Sequence, residues 1–213
     1  VLWYQGESNT GRAVEYLKLQ QAQIMDWRQK FRKPELPFYF VQLPNFMDAN
    51  YIPSESQWAQ FRESQLKALS TPHTGMAVII DLGEWNDIHP DNKKDVGERL
   101  ALIAKNKLYG KNIVYSGPIF KDAKIDNDKI ILSFEHIGSG LQSIDGDELR
   151  EFAIAGDDKK FVWAKATIVG DKVVVHNEQI KEPKYVRYAW ADNPDVNFYN
   201  AEGLPASPFR TDY

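Results

Sequence analysis

Two stretches of this chain gather side chains able to do acid–base or nucleophilic chemistry. Gln5-Gly6-Glu7-Ser8-Asn9 follows the apolar run VLWY, and Asp81-Leu82-Gly83-Glu84-Trp85-Asn86-Asp87-Ile88-His89-Pro90 follows MAVII. The four histidines stand at positions 73, 89, 136 and 176. Of these, only His89 combines a loop after an apolar run, neighbouring carboxylates and a following helical pattern. An imidazole there is suited to take a hydroxyl proton near neutral pH. Its orienting acid is open between Asp87, Asp81, Glu84 and a backbone carbonyl. Asp81, Glu84, Asp87 and His89 also contain metal-ligand chemistry. Neither HExxH nor a comparable spacing is present, so no metal and no cofactor is expected.

Gly6-x-Ser8 invites comparison with the nucleophile elbow G-x-S-x-G. The position two residues after the serine holds Thr10, and a side chain there crowds the approach of helix to strand. Ser8, Asn9 or Thr10 reads at least as well as the cap of a helix beginning near Ala13.

The elements that must carry these stretches follow from periodicity. Strand-like runs at 1–4, 38–43 and 76–82 alternate with helical patterns at 13–31, 56–70 and 91–108, the last stopped by Gly110. The helical stripes are Val14, Leu17, Ile24, Trp27 and Phe31; then Trp58, Phe61, Leu66 and Leu69; then Val96, Leu100, Ile103 and Leu108. This β-α order predicts a parallel sheet with flanking helices, whose ligands bind beyond the carboxyl ends of the strands. Three strands are few for such a sheet, and the first has no lead-in. The expectation is an incomplete α/β domain over 1–112, the C-terminal part of a larger one. Residues 113–213 carry strand-like runs at 129–135, 149–154, 161–168, 172–176 and 184–190, with turn signals between them, and predict an antiparallel, β-sandwich-like region.

Composition narrows the partners. The 213 residues carry a net charge of −4, with no basic surplus to neutralise phosphates, so nucleic acid is not expected. No apolar run approaches the roughly 18 residues that would span a bilayer. Cysteine is absent, which removes disulfides and thiolate chemistry. Aromatics reach 13%, enough for a packed core or a sugar-stacking surface. Trp163, Tyr185, Tyr188 and Trp190 are the candidates for stacking on sugar.

WYQGESN (3–9), NDIHP (86–90), EFAIAGDDKKFVWA (151–164), VRYAWADNP (186–194) and EGLPASPFRTD (202–212) together resemble the sialate O-acetylesterases of the SGNH hydrolase superfamily. The resemblance covers nearly the whole chain. It implies a serine esterase that removes acetyl groups from sialic acid hydroxyls, and a location that is extracellular or periplasmic. The family's nucleophile lies in a Gly-Gln-Ser-Asn type motif, which these 213 residues do not contain. QGESN then becomes a later block of the same site. Gln5, Gly6, Glu7 and Asn9 line the pocket, with Gln5 or Asn9 donating to the oxyanion and Glu7 organising the site. His89 matches the family's base. Where the superfamily often has its acid, three residues earlier, this chain has Asn86, so Asp87 becomes the candidate acid. The implied partners are an O-acetylated sialic acid or related glycan and a missing N-terminal part of the same protein, without nucleic acid or membrane. An acetylxylan or other carbohydrate O-acetylesterase, and a non-catalytic carbohydrate-binding module, are the alternative readings. The 192–194 and 209–210 segments are expected to fold back onto the catalytic half.

Overall fold

A computed structural model describes residues 1–213 and resolves the chain into two compact units. The first comprises residues 1–46 and 57–116, the second residues 47–56 and 117–213.

The first unit is α/β. Strands β1 (Leu2–Trp3), β2 (Phe38–Val41) and β3 (Thr74–Ala77) form a parallel sheet in the order β1-β2-β3. Helices α1 (Ala13–Lys30), α2 (Gln57–Lys67) and α3 (Lys93–Lys107) connect and follow them. The apolar run predicted as a strand over 76–82 stays buried through Ile80, yet pairing stops at Ala77. The reason is its neighbour. Past Gln42, whose N–H makes the last bond to Ala77 O, the backbone turns to α2: Gln65 Nε2 donates to Val41 O and Gln65 Oε1 accepts from Leu43 N–H. Beside this, Arg62 Nε donates to Leu43 O, and Arg62 Nη2 and Trp58 Nε1 both donate to Pro44 O. A strand that loses its partner ends, and a buried polar helix face takes over the backbone bonding that burial demands.

The helices are where periodicity misleads. The predicted stripe of α1 includes Val14 and Phe31, which are 84% and 62% exposed. Its buried face is Ala13, Tyr16, Gln20, Ile24 and Arg28 instead. Arg28 satisfies its charge with backbone, donating to Leu36 O and Pro72 O. In α3, Val96, Leu100 and Ile103 are inward as expected, but Leu108 is exposed. They pack with Tyr39, Val41, Ala77 and Ile79 of the sheet side. A second cluster, Ala13, Tyr16, Leu43, Trp58 and Phe61, sits where α1 and α2 meet the end of β2.

The second unit is antiparallel. Strands β4 (Ile119–Asp126), β5 (Lys129–Glu135), β9 (Lys165–Val169) and β10 (Lys172–His176) form a sheet ordered β4-β5-β10-β9. Strands β7 (Phe152–Ala155), β8 (Val162–Trp163), β11 (Tyr185–Tyr188) and β13 (Phe209–Arg210) form another, ordered β13-β11-β7-β8. Strands β6 (Leu141–Ser143) and β12 (Phe198–Asn200) pair separately. The run predicted as one strand over 161–168 breaks at Ala164 and serves two sheets, β8 pairing with β7 and β9 with β10. Short β6, β12 and β13 and charge-rich β4 carried too little apolar alternation to be read beforehand. Phe209–Arg210 pairs with β11, and Asn193 and Asp192 bond Met47 O and Ser56 Oγ. The 192–194 segment thus bonds residues 47–56, which lie within the 1–112 stretch expected to be catalytic but group with the second unit, whereas Phe209–Arg210 pairs within the second unit itself.

The aromatic richness is mostly core. Phe134, Phe152, Tyr188, Phe198 and Phe209 form a ring cluster with centroids 4.6–5.9 Å apart. Of the proposed sugar-stacking residues, Tyr188 and Trp190 are 0% and 6% exposed, so burial removes them, while Trp163 is 37% exposed.

Candidate active site

The loop after β1 is a 3-10 turn, Glu7–Arg12, entered through Gly6. Gly6 has φ 153°, and a Cβ there would lie 2.4 Å from Phe61 Cε1. Only glycine lets the backbone pass that close to the aromatic cluster. Gly6 O accepts the Asn9 N–H at 2.8 Å, closing the turn.

The side chains of this turn are held in a chain of hydrogen bonds. Tyr16 Oη, on the buried face of α1, donates to Gln5 Oε1 at 3.0 Å and lies 3.2 Å from Gln5 O. Gln5 Nε2 then donates to Asn9 Oδ1 at 2.8 Å. The Asn9 side-chain carbonyl is thus occupied.

The loop after β3 is anchored at both ends. Asp81 forms a fork with Arg99 of α3, Oδ1 to Nη1 and Oδ2 to Nη2 both 2.6 Å, and Arg99 also donates to Val78 O. Gly83 N–H donates to Asn45 Oδ1 at 2.7 Å, tying this loop to the one after β2. A Cβ at Gly83 would meet Asn45 O at 1.8 Å. Glu84 Oε1 accepts from Asp91 N–H, and Asn92 caps α3 by accepting from Asp95 N–H. Between these anchors Ile88 tucks against the Tyr16–Phe61 cluster, and His89 follows it outward.

The two loops meet in a cleft of about 520 Å³ lined by Tyr4, Glu7, Ser8, Ile88, His89 and Lys93, with Pro90. Both polar strand ends found in the sequence therefore face one space, as the strand-end rule requires. His89 is 87% exposed, and Asp87 Oδ1 lies 3.5 Å from its Nδ1 while accepting the His89 backbone N–H at 2.8 Å. Among the acids weighed for orienting His89, Asp81 is engaged by Arg99 and Glu84 by the Asp91 amide, which leaves Asp87 beside the imidazole. Of the residues expected to line the pocket, Glu7 does so, whereas Gln5, Gly6 and Asn9 are not among the lining residues.

Three lining residues were not singled out from the sequence. Ile88 fixes the loop. Lys93 Nζ stands 5.5 Å over the Tyr4 ring and donates to Pro90 O, placing a cation at the rim. Tyr4 carries a buried hydroxyl with no hydrogen-bond partner, and burial, reinforced by the Glu7 carboxylate, pushes it up to about 12. Its i+3 spacing to Glu7 was the available signal, masked by its place in an apolar run.

Residues 1–105 match the family model described as carbohydrate esterase, sialic acid-specific acetylesterase. The chain is 28% identical to the sialate O-acetylesterase of Mus musculus and 27% identical to that of Homo sapiens, each over 98% of its length. A solved carbohydrate acetylesterase from Xanthomonas citri is 48% identical, with a TM-score of 0.95, over 100% of this chain and 50% of that one. The chain spans about 43–45% of the length of the curated relatives it matches. The resemblance read from its motifs holds along nearly the whole chain.

Proposed function

We propose that this chain, which resembles the sialate O-acetylesterases, forms part of a serine esterase that removes O-acetyl groups from sialic acid or a related glycan. The observation that carries this is the single cleft into which the QGESN turn and the DIHP loop both open. A serine Oγ attacks the acetyl carbonyl while His89 takes its proton. Asp87, beside Nδ1, holds the tautomer that leaves Nε2 free. The tetrahedral oxyanion takes its donor from the QGESN turn, Gln5 or Asn9, whose side chains are tied to each other and to Tyr16. The C–O bond to the sugar breaks as His89 returns the proton to the sugar oxygen. Water then attacks the acyl carbonyl as His89 takes its proton, the acyl C–O bond to the serine breaks as His89 returns that proton to Oγ, and acetic acid leaves. Glu7 organises the site from the cleft wall, since a carboxylate facing the oxyanion would repel it.

The attacking serine is proposed to come from a Gly-Gln-Ser-Asn type segment outside these 213 residues. Two facts support this: the motif is absent here, and the chain spans under half of its curated relatives. Ser8, although it lines the cleft, keeps Thr10 where the elbow needs a small residue. Lys93 at the rim favours an acidic sugar over acetylated xylan, because a cation there attracts a carboxylate. By the same family resemblance the protein works outside the cytoplasm. No helix is long and apolar enough to cross a membrane.

A substrate panel tests these assignments. The 213-residue chain alone should release little acetate from an aryl acetate. Normal turnover, abolished by Ser8→Ala, would make Ser8 the nucleophile. In the protein carrying the partner segment, Lys93→Ala should raise KM for O-acetylated sialic acid and leave KM for acetylated xylan unchanged. Equal effects on both would remove the preference for an acidic sugar.

A further inference from the structure

The second unit holds a pocket of its own. It has a volume of about 300 Å³ and is lined by Asn50, Leu149, Arg150, Glu151, Phe152 and Trp163. We propose that this pocket binds the ring of a neutral pyranose, stacked on Trp163 and donating hydroxyl hydrogen bonds to Glu151. This reading is independent of ester hydrolysis and rests on a different part of the chain.

Trp163 is the one large aromatic of its sheet kept at the surface, and it is held still. Its Nε1 donates to Tyr51 O at 2.9 Å, and its backbone O accepts from Asn177 Nδ2 at 2.8 Å. A fixed, half-exposed indole offers a flat apolar face to the C–H side of a sugar at little cost in side-chain freedom.

Glu151 supplies the polar counterpart. It takes a left-handed backbone conformation, φ 65°, which is uncommon for a residue with a branching-free but full side chain. Its carbonyl accepts the Ala189 N–H at 2.9 Å, which holds that conformation. Strain of this kind is retained where the surrounding structure fixes it and clusters at ligand sites. Its side chain accepts one bond, from Asp195 N–H to Oε1 at 3.1 Å, and Oε2 stands without a protein donor. Burial holds the carboxyl above its ordinary range, which further marks a carboxylate short of partners. Asn50 Nδ2 donates to Ser54 Oγ and keeps its amide oxygen for a ligand.

Charge selects a neutral sugar. Arg150, the only cation of the lining, is engaged by two carboxylates: Nη1 to Asp145 Oδ2 at 2.8 Å and Nε to Asp195 Oδ2 at 2.9 Å. With Asp147 also near it at 3.9 Å and Glu151 in the wall, the local balance is negative and repels an anionic sugar. The pocket suits one ring whose apolar face meets indole and whose hydroxyls meet fixed acceptors.

Saturation-transfer NMR on the full chain tests this with methyl β-D-galactopyranoside and methyl β-D-xylopyranoside as neutral probes and N-acetylneuraminic acid as the anionic one. At least one neutral pyranoside should show transfer. Trp163→Ala should abolish it, and Glu151→Gln, which keeps size and the Asp195 contact, should weaken it about tenfold. His89→Ala, in the other unit, should leave it unchanged. Trp163→Phe, which retains a ring, should keep part of the signal and guards against a folding artefact of the alanine variant. Absence of transfer to both neutral probes, transfer to N-acetylneuraminic acid alone, or transfer unaffected by Glu151→Gln and Trp163→Ala would overturn the proposal.

Discussion

At the scale of the residue, Gly6 and Tyr16 set the geometry of the QGESN turn. Gly6→Ala places a methyl group against the Phe61 ring and forces an L side chain into φ 153°. We expect a loss of about 1–3 kcal/mol, read as a lower urea midpoint at constant m. Tyr4 contributes a pH signature. Its folded pKa is raised, so the folded state holds the phenol proton more tightly than the unfolded chain. Stability should therefore fall as pH rises from about 10 to about 12. Tyr4→Phe should flatten that limb in denaturation series across this window and cost little near neutrality, because the buried hydroxyl has no partner to lose. The QGESN and DIHP stretches stand out in the sequence by residue type and by position after apolar runs, and both reach one cleft through Glu7, Ser8 and His89; the pocket roles of Gln5, Gly6 and Asn9 come from the family resemblance, and these three are not among the lining residues. Tyr16 does not stand out, because its bond to Gln5 spans eleven residues and depends on which face of α1 turns inward.

At the scale of the element, α2 is the decisive piece. Trp58, Arg62 and Gln65 satisfy the backbone that follows β2, and Asn45, a little further along, fixes the His89 loop through Gly83. Arg62 is fully buried. Arg62→Ala strips donors from Leu43 O and Pro44 O and opens a cavity, and should destabilise by about 3–5 kcal/mol in equilibrium denaturation. In sequence this helix looked like an ordinary apolar stripe, since its polar residues match those of a solvated face. Hydrophobic period locates a helix but not its inward side when buried polar groups bond to backbone, and the same blindness put Val14 and Phe31 of α1 inside. Periodicity and packing agree for Val96, Leu100 and Ile103 of α3 and for β10.

At the scale of the molecule, each unit has its own source of cohesion. In the second, Arg187 binds Asp212 in a fork, Nε to Oδ1 at 3.0 Å and Nη2 to Oδ2 at 2.7 Å, and reaches Glu55 at 2.8 Å, fastening residues 47–56 to β11. Burial alone would raise the Asp212 carboxyl, but the hydrogen bonds and charge of Arg187 outweigh it and hold it below its ordinary range. That stability is present above the unfolded value near 4 and is lost as pH falls through the lower folded one. Asp212→Asn should cost about 3–5 kcal/mol near neutrality and remove that part of the acid-limb slope. The α/β first half and the antiparallel second half were legible from element order. The assignment of residues 47–56 to the second unit was not, because it is made by single side chains such as Glu55, Ser56 and Asn193 rather than by any pattern. The measurement that bears most directly on the proposed chemistry is kcat for acetate release from O-acetylated sialic acid by the esterase carrying this chain, with His89→Ala compared to the unaltered protein. A His–Asp relay in the shared cleft predicts a fall of about a thousandfold or more with the fold intact by circular dichroism, and a smaller fall for Asp87→Asn. A folded His89→Ala enzyme within about tenfold of the unaltered kcat would contradict it.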